Sequence, residues 1–314
     1  MILAVSLWFL YDKLITGGAW KGFKDIELSK LLAKPLLWAV VGLMVINWGL
    51  EALKWKLLVN RFEPISYYTA NKSVLTGVFI SLFVNILVPN RLGEFAGRII
   101  YVKLNKIKAA LITSIGSFAQ FGVTALVGAS AYLVFWFSYQ QTQLSQFSGY
   151  LLVAAVVLIV AVILLFYFNI NVLSWVLGKP KFLRRFKKIT SVFYFYNTTL
   201  LLKVFVLSII RYGVFCSQFI LLLWVCGVDI TTVQGLIAVP IIFLVQTVVP
   251  SNSLSDLGVR GAASIHFLNY YSVNDAGILT AAYLLWGINL FLPGIAGAVF
   301  FSIFKFRNGN GSNR

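Results

Sequence analysis

The stretch Val88-Pro89-Asn90-Arg91-Leu92-Gly93-Glu94-Phe95-Ala96-Gly97-Arg98 carries three charges, two glycines and a proline between two long apolar runs. A second stretch echoes it: Val249-Pro250-Ser251-Asn252-Ser253-Leu254-Ser255-Asp256-Leu257-Gly258-Val259-Arg260. Each opens on Val-Pro after an apolar run and has an amide four residues before the proline, Asn85 and Gln246. Each then places an acid four residues before an arginine: Glu94 with Arg98, Asp256 with Arg260. Matching proline-broken, polar interruptions in two halves of an apolar chain are a pointer to a transporter-type site.

The 314 residues as a whole are 60% hydrophobic and 11% charged, with mean hydropathy +0.89. Soluble domains are typically about 45–50% apolar and about 25% charged. Such a chain needs the bilayer as solvent, and its runs near 20 apolar residues predict spanning helices. Alternating strand patterns, the mark of a barrel, are missing from the sequence.

Spans are predicted over 35–53, 110–137, 149–170, 204–227 and 277–304, with a shorter first helix within 1–16. Residues 66–88 and 232–249 lead into the two motifs, and 262–271 lead out of the second. Each motif is therefore expected at the tip of a re-entrant hairpin. The fold class expected is an all-α integral membrane protein with about six to eight transmembrane helices and two re-entrant hairpins, related as an inverted repeat. No linker divides it: residues 1–307 read as one membrane domain with halves near 35–137 and 149–304, and 308–314 as a disordered polar tail.

Charge sets the orientation. The net charge is +17, and 19 of the 26 Lys and Arg residues fall on one side of this topology. Basic loops stay in the cytoplasm and meet anionic lipid heads, so the C-terminus is expected inside, in a plasma (inner) membrane. The exception is residues 13–34, which put five lysines outside. The bases lie in short loops between spans, which argues against a nucleic-acid partner. Lys54, Trp55 and Lys56 read as an interface anchor ending a span. Arg211 falls within a span and reads equally as a site residue or as a side chain reaching the cytoplasmic face.

Proline frees backbone groups at depth, at Pro89 and Pro250, and such backbone survives only when buried or lining a wet cavity. Asn90 and Ser253 are candidate helix starts, the latter in a capping-box spacing with Asp256. Helix N-termini favour phosphate. Gly93 and Gly258 permit close approach by a head group or another helix. Arg91, Arg98 and Arg260 are expected to hold a lipid phosphate, with Glu94 and Asp256 facing an amine or keeping the empty site neutral. The alternative is that these charges reach water and only anchor hairpin ends. Asn85 and Gln246 are read as bonds between helices. Cys216 and Cys226 are read as packing residues, and one histidine, His266, makes no metal set. No cofactor or nucleotide motif is present.

At these residues the chain resembles the membrane domain of lysylphosphatidylglycerol synthases, a flippase-like family. Pro89, Leu92, Gly93, Glu94 and Arg98 match its first motif, and Pro250, Gly258, Val259 and Arg260 its second. The resemblance runs from about Leu36 to the last span. Gly261 departs from the family's glutamate, Ser255 and Asp256 from its glycines, and Ser117-Phe118-Ala119-Gln120 from its Arg-x-x-Asp. The resemblance implies binding and translocation of an anionic or aminoacylated phospholipid or lipid-linked head group, without the soluble aminoacyl-transferring domain. Two alternatives stay open: a lipid-modifying enzyme with Glu94 and Asp256 as bases, although no nucleophile, second histidine or metal set accompanies them, and a non-catalytic membrane partner of a lipid or glycan synthesis enzyme.

Overall fold

The computed structural model describes residues 28–87, 93–139, 146–170, 172, 191–249 and 253–309. The described residues are helical, without strands. The helices are α1 (Leu28–Leu32), α2 (Pro35–Val59), α3 (Tyr67–Leu87), α4 (Gly93–Ile100), α5 (Lys106–Tyr139), α6 (Gln146–Phe168), α7 (Thr198–Val225), α8 (Thr232–Val248), α9 (Ser253–Leu268) and α10 (Asp275–Gly309), with a 3-10 turn at Ser191–Phe195. Local sequence sets their ends. Pro35 opens α2, where its missing N–H is no loss. Asn197 caps α7, Thr231 and Gln234 form a capping box on α8, and Asn274 accepts from Gly277 N–H at the start of α10. Gly227, at φ 72°, turns the chain out of α7.

Five described helices are long and apolar enough to cross a membrane: α2, α5, α6, α7 and α10. They are the five spans predicted from 35 onward, and the protein is an integral multi-pass membrane protein. The short helix expected within 1–16 lies outside the described residues. So do Pro89, Arg91, Pro250 and residues 310–314 of the expected tail, while 308 and 309 finish α10.

Hydrogen bonds fix the topology. Lys34 Nζ donates to Val225 O, Gln218 Nε2 to Val40 O, and Tyr196 OH to Leu58 O, so α2 and α7 run antiparallel along their whole length. The first hairpin, α3–α4, opens at the Leu58–Tyr196 end. Its exit is tied to its entrance, because Lys103 N–H donates to Glu63 Oε2 at 2.8 Å. The second, α8–α9, opens at the Lys34–Val225 end, where Asn274 Nδ2 donates to Gly227 O at 3.0 Å. The two hairpins therefore enter from opposite ends of the bundle. The packing follows the same two-fold plan: α2 lies on α7, α10 on α3, and α5 on α8. Each half reads span, hairpin, span, and α6 joins the halves.

Glycines bring the hairpin arms together. A Cβ on Gly93 would meet the Ser81 backbone at 2.6 Å, and one on Gly97 would meet the Gly77 backbone. This small-residue spacing of four lets two helices touch along their backbones. The freedom of Gly93 is thus spent on another helix. Residues 253–260 of the second motif form the first turns of α9, which begins at Ser253, so the return arm starts earlier than the predicted 262.

Gly97→Ala should destabilise by about 1–3 kcal/mol through overpacking. Gly213→Ala, with nothing within 4 Å of the new methyl, should be neutral or stabilise by about 0.5–1 kcal/mol. Thermal unfolding in detergent checks both, read by a thiol-reactive dye on Cys216, which is buried in the fold.

Candidate functional site

Charged and polar residues from eight helices line one cavity of about 450 Å³, bordered by α2, α3, α4, α5, α7, α8, α9 and α10. That volume lies in the range of small-molecule sites, about 300–1,000 Å³. Its charge centre is Glu51, on α2. The carboxylate lies 2.7 Å from Arg98 Nη2, 2.9 Å from Lys54 Nζ and 3.5 Å from Arg211 Nη1. Arg98 also sits 3.6 Å from Glu94, one helical turn earlier on α4. At the second hairpin, Arg260 Nη2 donates to Asp256 Oδ2 at 3.1 Å, again across one turn. Both acid–arginine pairs have the order favoured on one helix face, acid first.

Burial makes these charges depend on one another. Glu51 is 5% exposed, Lys54 1%, and Arg98 and Arg260 3% each. Single charges at such depth are costly, and pairing is what makes them tolerable. Aromatic faces add to it: the Arg98 guanidinium lies 5.5 Å from the Trp55 ring and that of Arg211 5.6 Å from Trp48. Arg211 Nη1 donates to Gln120 Oε1 at 3.2 Å. Asn289 ties α10 to α2, accepting from Asn47 Nδ2 at Oδ1 and from Trp48 Nε1 at its carbonyl.

Several cavity groups keep free hydrogen-bonding capacity. The Nε–H of Arg98, Arg211 and Arg260, the Gln246 Nε2 amide and the Ser81 hydroxyl have no partner among the described residues. Donors dominate this set, and Asn47 Oδ1 is an acceptor left open beside them. Buried donors left unsatisfied are costly, and an oxyanion would satisfy several at once.

The structure brings Glu94, Arg98, Asp256 and Arg260 onto this single cavity. Gly258 is buried, and Ser253 opens α9. Sequence reading missed the centre. Lys54 and Trp55 were expected at an interface, yet Lys54 is 1% and Trp55 0% exposed. The signal was present: Asn47, Glu51 and Lys54 recur at helical spacing on one face of an apolar run. Arg211 points into the cavity, and Ser117, Gln120 and Gln246 line it too.

Fold and site together define a polytopic membrane protein with a charged chamber between two oppositely inserted hairpins. Residues 1–297 match the lysylphosphatidylglycerol synthase TM region, and the chain belongs to that family. Comparison with curated proteins and with solved structures finds no significant match. The family makes this a membrane protein related to lipid modification or transport.

Glu51→Gln removes the anion shared by three cations. It should cost about 3–5 kcal/mol, the range for breaking a buried ion pair, and lower the unfolding temperature markedly. Glu94→Gln, which loses only a 3.6 Å contact, should change it little.

Proposed function

We propose that the protein moves phospholipid or lipid-linked head groups across the membrane, the head group passing through the charged chamber while its tails stay in the bilayer. The supporting observation is that Arg98 and Arg260, each 3% exposed, line the same cavity from hairpins that open at opposite ends of the bundle. A head group arriving from either leaflet meets one arginine on its own side and the other across the chamber. Phosphate oxygens satisfy the free guanidinium and amide donors. Glu94 and Asp256 hold the arginines in place when the chamber is empty and keep each pair neutral.

Charge asymmetry supports a cytoplasmic C-terminus. Lys56, Arg61, Lys103, Lys106, Lys108 and Lys203 belong to the end where α2 and α10 finish and α7 begins. The opposite end carries Lys30 and Lys34 with Asp229 and Asp275. Under the positive-inside rule the basic end faces the cytoplasm of a plasma membrane.

Proteoliposomes carrying tail-labelled phospholipid test the transport reading. Wild type should equilibrate the label between leaflets, and Arg98→Ala or Arg260→Ala should slow this at least about tenfold, the effect of 1.4 kcal/mol. Chemical conversion of the lipid would favour an enzyme instead. A C-terminal green fluorescent fusion should fluoresce, as cytoplasmic fusions do; a dark, exported fusion reverses the orientation.

A further inference from the structure

We infer that Arg211 is the surplus cation of the chamber, and that the neutral Gln120 beside it makes the chamber select a head group of net negative charge over a zwitterionic one. The inference rests on the head-group reading above and adds to it the class of lipid. Among the described residues, seven charged side chains line the cavity: the acids Glu51, Glu94 and Asp256, and the bases Lys54, Arg98, Arg211 and Arg260. One positive charge is therefore left over.

Geometry says which one. Asp256 is engaged with Arg260 at 3.1 Å. The two oxygens of Glu51 lie against Arg98 at 2.7 Å and Lys54 at 2.9 Å. Arg211 reaches that carboxylate only at 3.5 Å, the longest of the three contacts. Its hydrogen bond goes to the Gln120 amide, which brings no charge. Its Nε–H has no partner among the described residues. Its side chain is 17% exposed to the chamber, against 1% for Lys54 and 4% for Arg98 and Arg260. Arg211 is thus the most accessible cation and the least neutralised.

An unmatched charge at membrane depth is unfavourable, so a ligand that cancels it gains affinity from the cancellation. A phosphodiester without an amine does so. A phosphoethanolamine group brings its own ammonium, which restores the surplus and finds the acids already turned to arginines. Selectivity of this kind comes from the difference between the two ligands rather than from added contacts. Gln120→Glu is nearly isosteric and would place a carboxylate on Arg211, removing the surplus.

The test compares tail-labelled phosphatidylglycerol with tail-labelled phosphatidylethanolamine in proteoliposomes of the full chain. Wild type should move phosphatidylglycerol about tenfold faster, a ratio worth about 1.4 kcal/mol. Gln120→Glu should bring the ratio close to one, mainly by slowing phosphatidylglycerol. Arg211→Gln should do the same, which guards against a folding defect in either variant. Equal rates in wild type, or an unchanged ratio in both variants, overturns the inference. If wild type moves neither lipid, the transport reading fails by itself. Binding of soluble glycerophosphoglycerol, an anionic phosphodiester, and of zwitterionic glycerophosphoethanolamine, read by tryptophan fluorescence with Trp48 and Trp286 lining the cavity, then decides the charge selectivity and points to a free anion as its source. Preference for glycerophosphoglycerol that Gln120→Glu abolishes upholds it, and equal or undetectable binding overturns it.

Discussion

One carboxylate, Glu51, sits among three cations inside a protein whose solvent is hydrocarbon. Its contacts with Arg98, Lys54 and Arg211 join α2 to α4 and α7, three helices from both halves of the chain. Removing a charge from water is unfavourable by several kcal/mol, and mutual attraction offsets this only when partners are close and well placed. The network therefore fixes more than itself. It requires the first hairpin to insert to the depth at which Arg98 meets Glu51, and it requires α2 and α7 to lie side by side. Their antiparallel register, tied at both ends by Lys34 and Tyr196, supplies that arrangement.

The same constraint explains the chamber. Two hairpins inserted from opposite ends cannot fill the middle of the bundle with apolar side chains while carrying Arg98 and Arg260 at their motifs. The glycine contacts of α3 with α4 let the hairpin stay thin. What is left is a polar space bordered by both hairpins and by the four flanking spans. The two ends of this space are unlike each other. Glu51, Lys54 and Arg211 gather around the first hairpin, while the second has its own Asp256–Arg260 pair. The halves share a backbone plan and differ in their charges, so the chamber is not equivalent at its two ends.

Much of this was legible in the sequence. Composition required the membrane, and the paired Val-Pro motifs located both hairpins and four of the charges on the cavity. The positions of Glu51 and Lys54 were not recovered, because an acid and a lysine near the end of an apolar run look the same whether they face lipid heads or a buried partner. Only the partner decides, and Arg98 lies 47 positions away in the chain. Arg211 was ambiguous for the same reason: its partners, Glu51 and Gln120, come from two other helices. Gln246, read as a bond between helices, has an amide donor without a partner among the described residues, at the cavity wall. Helical periodicity identifies a face but not what that face meets.

The central claim is that both hairpins present their arginines to one shared chamber that holds a lipid head group. A cryo-electron microscopy map of the protein in nanodiscs containing phosphatidylglycerol tests it most directly. The account predicts density the size of a phosphate within hydrogen-bonding reach of both Arg98 and Arg260. Arginines facing separate water-filled clefts, with lipid ordered only around the outside of the bundle, would contradict it.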